Sequence, residues 1–348
     1  MEEPVDLTGE KNVQMDQLKE DRGVSVVLCC YNSEQRIVPT LEHLAKQELL
    51  DFDVEIVLID NASKDRTAEV AIEVWDLHHS PFDLRIIHEE RPGLIFARET
   101  GVLNARFDLI TFCDDDNWFD PAYLHFSQEL LRRESSAVAV RGKGIAAVEG
   151  EVPNWFQKYQ KSYAVGELEA GEHRVGPESM FGAGFSTRKK YLLDLWNGGF
   201  EPLLVGRKGN QLLSGEDSEL FYVLNEIGDL YYSDRLVFQH EINSNRLTVD
   251  YLLGVFVGKG VARPYLTLYR SMRSRGLKRL AQFPYRYWIG QLLYNVLSLG
   301  YRLFSLDSFD RKLRVAKEVQ GLREVWSART RFKQARRTAE RNMNVLKQ

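Results

Sequence analysis

Cysteine is scarce in this chain, with three residues in 348. Cys29, Cys30 and Cys113 all lie inside apolar runs. Three thiols cannot build a disulfide framework, so a reduced, cytoplasmic setting is expected. A long uninterrupted apolar run is also missing. The nearest approach, "YRYWIGQLLYNVLSLGYRLFSL" at 285–306, contains Arg286, Gln291, Asn295, Ser298 and Arg302. A membrane span needs about 20 predominantly apolar residues, so this stretch is not read as one. The opening residues include Glu2, Glu3, Asp6 and Glu10, with neither the basic nor the apolar region of a signal peptide. Without secretion, the sequon Asn61-Ala62-Ser63 carries no weight. No internal repeat or low-complexity tract is present, which excludes solenoids and argues for an ordered globular chain.

Charge is unevenly distributed. Residues 263–348 contain 20 Lys and Arg against 5 Asp and Glu, a net of +15. Residues 1–262 contain 26 against 45, a net of −19. The acidic part is suited to holding cations, the basic part to meeting an anionic surface. The expected division is a loose segment at 1–22, a catalytic unit at 23–262, and a basic helical extension at 263–348.

Short β-branched runs alternate with helical patterns. "VSVVLCC" (24–30), "VEIVLID" (54–60), "LRIIHE" (84–89) and "DLITFCDDD" (108–116) read as strands. Helical periodicity fills the intervals, through Leu41 and Leu44, over 68–77 and over 93–105. This alternation predicts an α/β fold, a doubly wound, mostly parallel sheet of Rossmann type. Ligands of such sheets bind beyond the carboxyl ends of the strands. Tyr31, Asn32, Asp60, Asn61 and Asp114–Asp116 all fall at such ends. Residues 141–180 are rich in glycine and aromatics and read as a loop layer over the site. Segments 182–196, 215–228 and 229–242 read as strand–helix, helix and strand.

Asp114, Asp115 and Asp116 are consecutive at the end of an apolar strand. Adjacent carboxylates raise each other's pKa, so something must compensate. A helix cap explains Asp120 before Pro121, but not three acids at a strand end. A divalent cation explains them better. Mg²⁺ typically binds through one or two carboxylates plus substrate phosphates, which implies a phosphate-bearing ligand. Glu216 and Asp217 open a predicted helix, where acids also complement the helix dipole. Arg98 and His240, taken singly, are as readily structural.

The order of these elements is specific. A strand followed by "YN", a strand ending in Asp60, "RPGL..AR..G" at 91–101, "DDD" at 114–116 and "GED.EL" at 215–220 resembles glycosyltransferase family 2 over residues 24–245. The resemblance implies a GT-A fold and an inverting transfer from a nucleotide-diphospho-sugar donor, with Mn²⁺ or Mg²⁺ as cofactor. It implies that Tyr31 and Asn32 hold the base and that Asp60 bonds its edge. Arg98 would lie near the nucleotide, with Asp114 and Asp115 near ribose and phosphates. Asp116 would be the main metal ligand, with Asp114 and His240 beside it, and Asp217 the catalytic base. Gly182 and Gly184, Glu216 and Trp155 would border donor and acceptor, and 207–211 the acceptor cleft. The acceptor class is a saccharide or a lipid-linked saccharide.

Two other functions compete with this one. A nucleotidyltransferase making the nucleotide-sugar would carry a glycine-rich basic loop after the first strand, and "CCYNSEQR" lacks one. A non-catalytic nucleotide-sugar-binding module would not need both the acid cluster and Asp217. The tail has no zinc-ligand or RNA-binding motif, so no nucleic-acid partner is expected. Its stretch 285–306 places Tyr285, Trp288, Ile289, Leu292, Leu293, Val296, Leu297, Leu303 and Phe304 on one helical stripe. That stripe would either pack on the catalytic unit, pair two copies in a homo-oligomer, or lie peripherally on an anionic membrane face.

Overall fold

The computed structural model describes residues 23–48, 52–204, 214–273 and 307–347, with isolated positions at 206, 212 and between 289 and 301. The expected loose segment at 1–22, the cleft residues 207–211 and most of 285–306 lie outside the described residues. The first half alternates as expected. It runs β1 (Gly23–Cys30), α1 (Ile37–Leu44), β2 (Asp53–Asp60), α2 (Thr67–Leu77), β3 (Asp83–His88), α3 (Leu94–Asn104) and β4 (Leu109–Asp114). Then come β5 (Asn117–Phe119), α4 (Tyr123–Arg133), β6 (Ala137–Ala147), α5 (Phe156–Tyr159), β7 (His173–Val175), β8 (Ser186–Arg188) and α6 (Lys189–Asn197). The remainder is α7 (Glu216–Leu224), β9 (Asp229–Glu241), α8 (Val249–Arg273), α9 (Ser308–Ser327) and α10 (Phe332–Val345).

One sheet holds the strands in the order β3-β2-β1-β4-β8-β6-β9-β5, with β7 against β9. The strands β3, β2, β1 and β4 are mutually parallel. β8 joins the two halves antiparallel to both β4 and β6. From β1 the chain winds outward to β2 and β3, then returns to place β4 on the other side. The sheet's switch point therefore lies between the ends of β1 and β4, where Cys29 pairs with Asp114. A crevice forms at such a point because the two connections leave in opposite directions.

Alternate side chains of the first strands enter opposite cores, as a period of two requires. Val27, Cys29, Val57 and Ile59 join one buried cluster with α3, α6 and α7. Val26, Leu28, Ile56 and Leu58 join the other, under α1, α2 and α4. Both faces are covered, which is why these strands read as unbroken apolar runs.

Two sequence expectations change. The loop layer expected over 141–180 begins later, because β6 continues to Ala147 alongside β9. Gly142 and Gly144 suggested a loop. A Cβ on Gly142 would stand 1.9 Å from the Leu236 carbonyl oxygen, so glycine there permits close strand approach at a register shift. The boundary expected at residue 262 lies within α8. Beyond it the chain packs back. α9 lies along α8, with an Arg263–Glu318 ion pair and a Tyr265 hydroxyl donating to Glu324 at 2.7 Å. Ala335, Ala339, Met343 and Val345 of α10 enter the core cluster of α6 and α7. Among the described residues, no helix is long and apolar enough to cross a membrane.

Candidate active site

A cleft of about 530 Å³ opens at the switch point. It is lined by Tyr31, Asn61, Asp114, Asp115 and Asp116, and by Gly182, Glu216, Asp217 and His240. The fold thus brings together acids separated by a hundred residues of sequence. Not every expected residue reaches the cleft. Asp60 and Asn32 do not line it but fasten the ends of β1 and β2. Asp60 accepts from the Ser63 N–H at 3.2 Å and pairs with His88 Nδ1 at 3.0 Å. Asn32, at φ +48°, takes the left-handed conformation that Asn tolerates, and its Oδ1 accepts from the Lys64 N–H at 2.8 Å. Gly184, at φ +66°, accepts a hydrogen bond from the Tyr123 hydroxyl and is likewise not a lining residue. Trp155 is not one either, because its ring stacks on Phe309 of α9, 6.1 Å between centroids.

Basic side chains compensate the three acids in the described structure. Arg36 donates to Asp115 Oδ2 at 2.6 Å, and the Ser33 hydroxyl bonds the same oxygen. Arg246 donates to Asp116 Oδ2 at 2.8 Å, and His240 Nε2 lies 3.4 Å from Asp116 Oδ1. Burial would raise the Asp116 pKa, but His240 and Arg246 together hold it well below the usual carboxylate range. Burial pushes Asp114 up to about 7, against the opposing pull of Arg98. The sequence reading missed Arg36, Ser33 and Arg246. Arg36 sits in the turn "YNSEQR" after β1, and its spacing from Tyr31 was the available signal. Arg246 follows β9 with no pattern to mark it.

Arg98, expected near the nucleotide, lines the same cleft. Its Nη1 donates to Asp217 Oδ1 at 2.6 Å, and the Gly182 N–H donates to Asp217 Oδ2 at 2.9 Å. The Arg98 side chain is only 4% exposed and lies near the rings of Phe112 and Phe185. Burial opposes its charge, but Asp217 and Asp114 more than restore it. Gly182 is required by space. A Cβ there would meet Arg98 Nη2 at 2.4 Å and the Asp217 carboxylate at 2.5 Å. Gly182→Ala is therefore expected to push this pair apart and lower activity at least about tenfold, since a misplaced catalytic group costs up to about a hundredfold per ångström. Steady-state kinetics beside a melting curve would check this, and an unchanged rate would show that the Arg98–Asp217 geometry is dispensable.

Asp116 Oδ1 and His240 Nε2 are near enough to share one ion, and His240 Nδ1 is buried with no hydrogen-bond partner among the described residues. Among the described residues, no group of three or more His, Cys, Asp or Glu could hold a metal. Two protein ligands fit a hard cation whose remaining positions are filled by phosphate oxygens and water.

The acid cluster and Asp217 thus line one cleft at the switch point of an α/β sheet. Residues 25–186 match the family described as Glycosyl transferase family 2. Just under half of the chain thus matches glycosyltransferase family 2, the family its motifs resemble, and the fold is the α/β one expected from the sequence. EpsH of Bacillus subtilis (strain 168), a glycosyltransferase by name, is 26% identical over 180 residues, 49% of this chain and 47% of that protein. The poly-beta-1,6-N-acetyl-D-glucosamine synthase of Staphylococcus aureus (strain COL) is 23% identical over 186 residues, 53% of this chain and 43% of that protein. The chain thus spans about half the length of the curated relatives it matches. The solved structure of S. aureus TarS 1–349 in complex with UDP overlaps 89% of this chain and 91% of that chain, with 15% identity and a TM-score of 0.49.

Proposed function

We propose that this chain is an inverting, metal-assisted glycosyltransferase of polysaccharide-type biosynthesis. It moves a sugar from a nucleotide-diphospho-sugar to a saccharide or lipid-linked acceptor. One observation carries the reading: the Asp114–Asp116 cluster and Asp217 line a single cleft, and Asp217 is held by Arg98 and Gly182. Asp217 takes the proton of the attacking acceptor hydroxyl. The new bond forms between that oxygen and the sugar C1 as the bond from C1 to the diphosphate oxygen breaks. The electron pair leaves with the diphosphate, and attack from the opposite face inverts the anomeric centre. A positioned base contributes about 10²–10⁴-fold. Arg98 keeps the carboxylate oriented, and Arg246 offers the departing diphosphate a positive charge. Asp116 and His240 would hold Mn²⁺ or Mg²⁺, which supplies Lewis-acid neutralisation of the diphosphate when bound. Tyr31 and Asn61 border the place for the base, with Asp114 and Asp115 toward ribose and phosphates.

Calorimetric titration with UDP, GDP and dTDP tests the reading. With Mn²⁺ present, one of the three is expected to bind at least tenfold more tightly than with EDTA, and Asp116→Ala to abolish the difference. Binding of none overturns the function. Equal affinity with Mn²⁺ and with EDTA overturns the metal.

The same reading places the enzyme peripherally on an anionic membrane surface. Leu293, Tyr294, Val296, Leu297 and Tyr301 are each more than half exposed, in a segment of net positive charge. Basic residues near such a surface contribute about 1 kcal/mol each. Cosedimentation with phosphatidylserine vesicles is expected at low salt, weakened at high salt and by Leu297→Ser with Tyr301→Ser. Protein left in the supernatant at low salt would make this segment a packing or oligomerisation element.

A further inference from the structure

Three acids of the cleft are matched by arginines, while one of its lysines has no matching acid among the described residues. Asp115, Asp116 and Asp217 each have an arginine partner. Lys161 and Ser162, from the turn after α5, and Lys259, from α8, also line the cleft. Lys259 Nζ donates to Ser162 Oγ at 2.7 Å, and among the described residues no carboxylate pairs with it. Its charged neighbour is another cation, Lys317. Burial, with Lys317 adding to it, lowers the Lys259 pKa to about 8. A half-buried ammonium without a counter-charge is costly unless a ligand supplies one. Beside it the rings of Tyr163 and Tyr251 stack at 5.8 Å, and both line the cleft. Such a wall suits the apolar face of a sugar or polyol.

We infer that Lys259, with Lys161 and Ser162, forms a subsite for an anionic substituent, a phosphate or carboxylate, on a sugar or polyol in the cleft. This deepens the proposed transferase reading and rests on it. The anion can belong to the acceptor or to the donor sugar, and the two sources share one chemistry at Lys259. The subsite selects substrate and takes no part in bond making.

The test uses the full chain. In the acceptor arm, protein saturated with whichever of UDP, GDP and dTDP binds best is titrated with glycerol 3-phosphate and glucuronate, against glycerol and glucose. In the donor arm, UDP-glucuronate is compared with UDP-glucose. In at least one arm the anionic probe is expected to bind at least tenfold more tightly than its neutral counterpart. Lys259→Met is expected to erase that preference and Lys259→Arg to keep most of it. The arm that discriminates names the source. No discrimination in either arm, or a preference that survives Lys259→Met, overturns the subsite. Nucleoside diphosphate binding that persists in that case leaves the transferase reading standing, and its absence from the wild type would sink both. Should Lys259→Met fail to fold, the exposed Lys161→Gln is expected to weaken the anionic probe about threefold, and no weakening overturns the subsite.

Discussion

Asp217→Asn is expected to lower turnover by at least about 10²-fold while nucleoside diphosphate affinity stays within a few-fold. The carboxylate has a donor on each oxygen, Arg98 Nη1 at 2.6 Å and the Gly182 N–H at 2.9 Å. An amide keeps the size and can still accept from Arg98, but it cannot take a proton from an acceptor hydroxyl. Its NH₂ would also face the Gly182 N–H, donor against donor, so a melting curve and a binding titration must accompany the kinetics. Binding should survive because the substitution leaves in place the acids expected at the nucleotide, Asp114–Asp116, while Asp217 itself is held by Arg98 and Gly182. An Asn variant with normal turnover would move the base to Glu216, which also lines the cleft. Lost binding with lost turnover would instead give Asp217 a role in holding the donor.

Much of this site was legible because strand ends are legible. The apolar runs at 24–30, 54–60 and 109–114 are buried on both faces, and polar residues that follow such a run must sit at the sheet's rim. Glu216 and Asp217 were readable as a helix start, and α7 begins at Glu216. The electrostatic partners were not readable. Arg36 reaches Asp115 across 79 residues of sequence, Arg246 reaches Asp116 across 130, and Arg98 reaches Asp217 across 119. Such pairings depend on tertiary approach, and no local period records them. Trp155 shows the converse error. It was expected to border donor and acceptor, yet its ring stacks on Phe309 of α9. The glycines of β6 misled in the same way, since a residue needed for close strand approach looks from sequence like a loop former.

Removing residues 332–348 is expected to destabilise the whole molecule and not simply to detach a tail. The basic composition of 263–348 suggested a separable extension, but α10 is part of the core. Ala339 is fully buried, and Met343 and Val345 are 6% and 8% exposed against α6 and α7. Burying a Met or Val side chain stabilises by about 1.5–3 kcal/mol each. Polar contacts add to this. Asn342 Nδ2 donates to the Glu201 carbonyl at 2.7 Å and to the Tyr269 hydroxyl at 2.9 Å, and that hydroxyl donates to Glu219 at 2.5 Å. Glu219 in turn accepts from the N–H groups of Leu203 and Leu204, each at 2.9 Å. The helix is thereby tied to α7, whose first turn carries Asp217. The apolar contribution alone is about 5 kcal/mol, comparable with the about 5–15 kcal/mol that keeps a typical domain folded. The truncated chain should therefore aggregate or melt at least about 10 °C lower by circular dichroism, and Met343→Ala should cost about 2–5 kcal/mol in urea unfolding. A truncated chain that stays monomeric and melts at the wild-type temperature would make α10 an appendage after all. It would also return the boundary of the catalytic unit to the neighbourhood of residue 262.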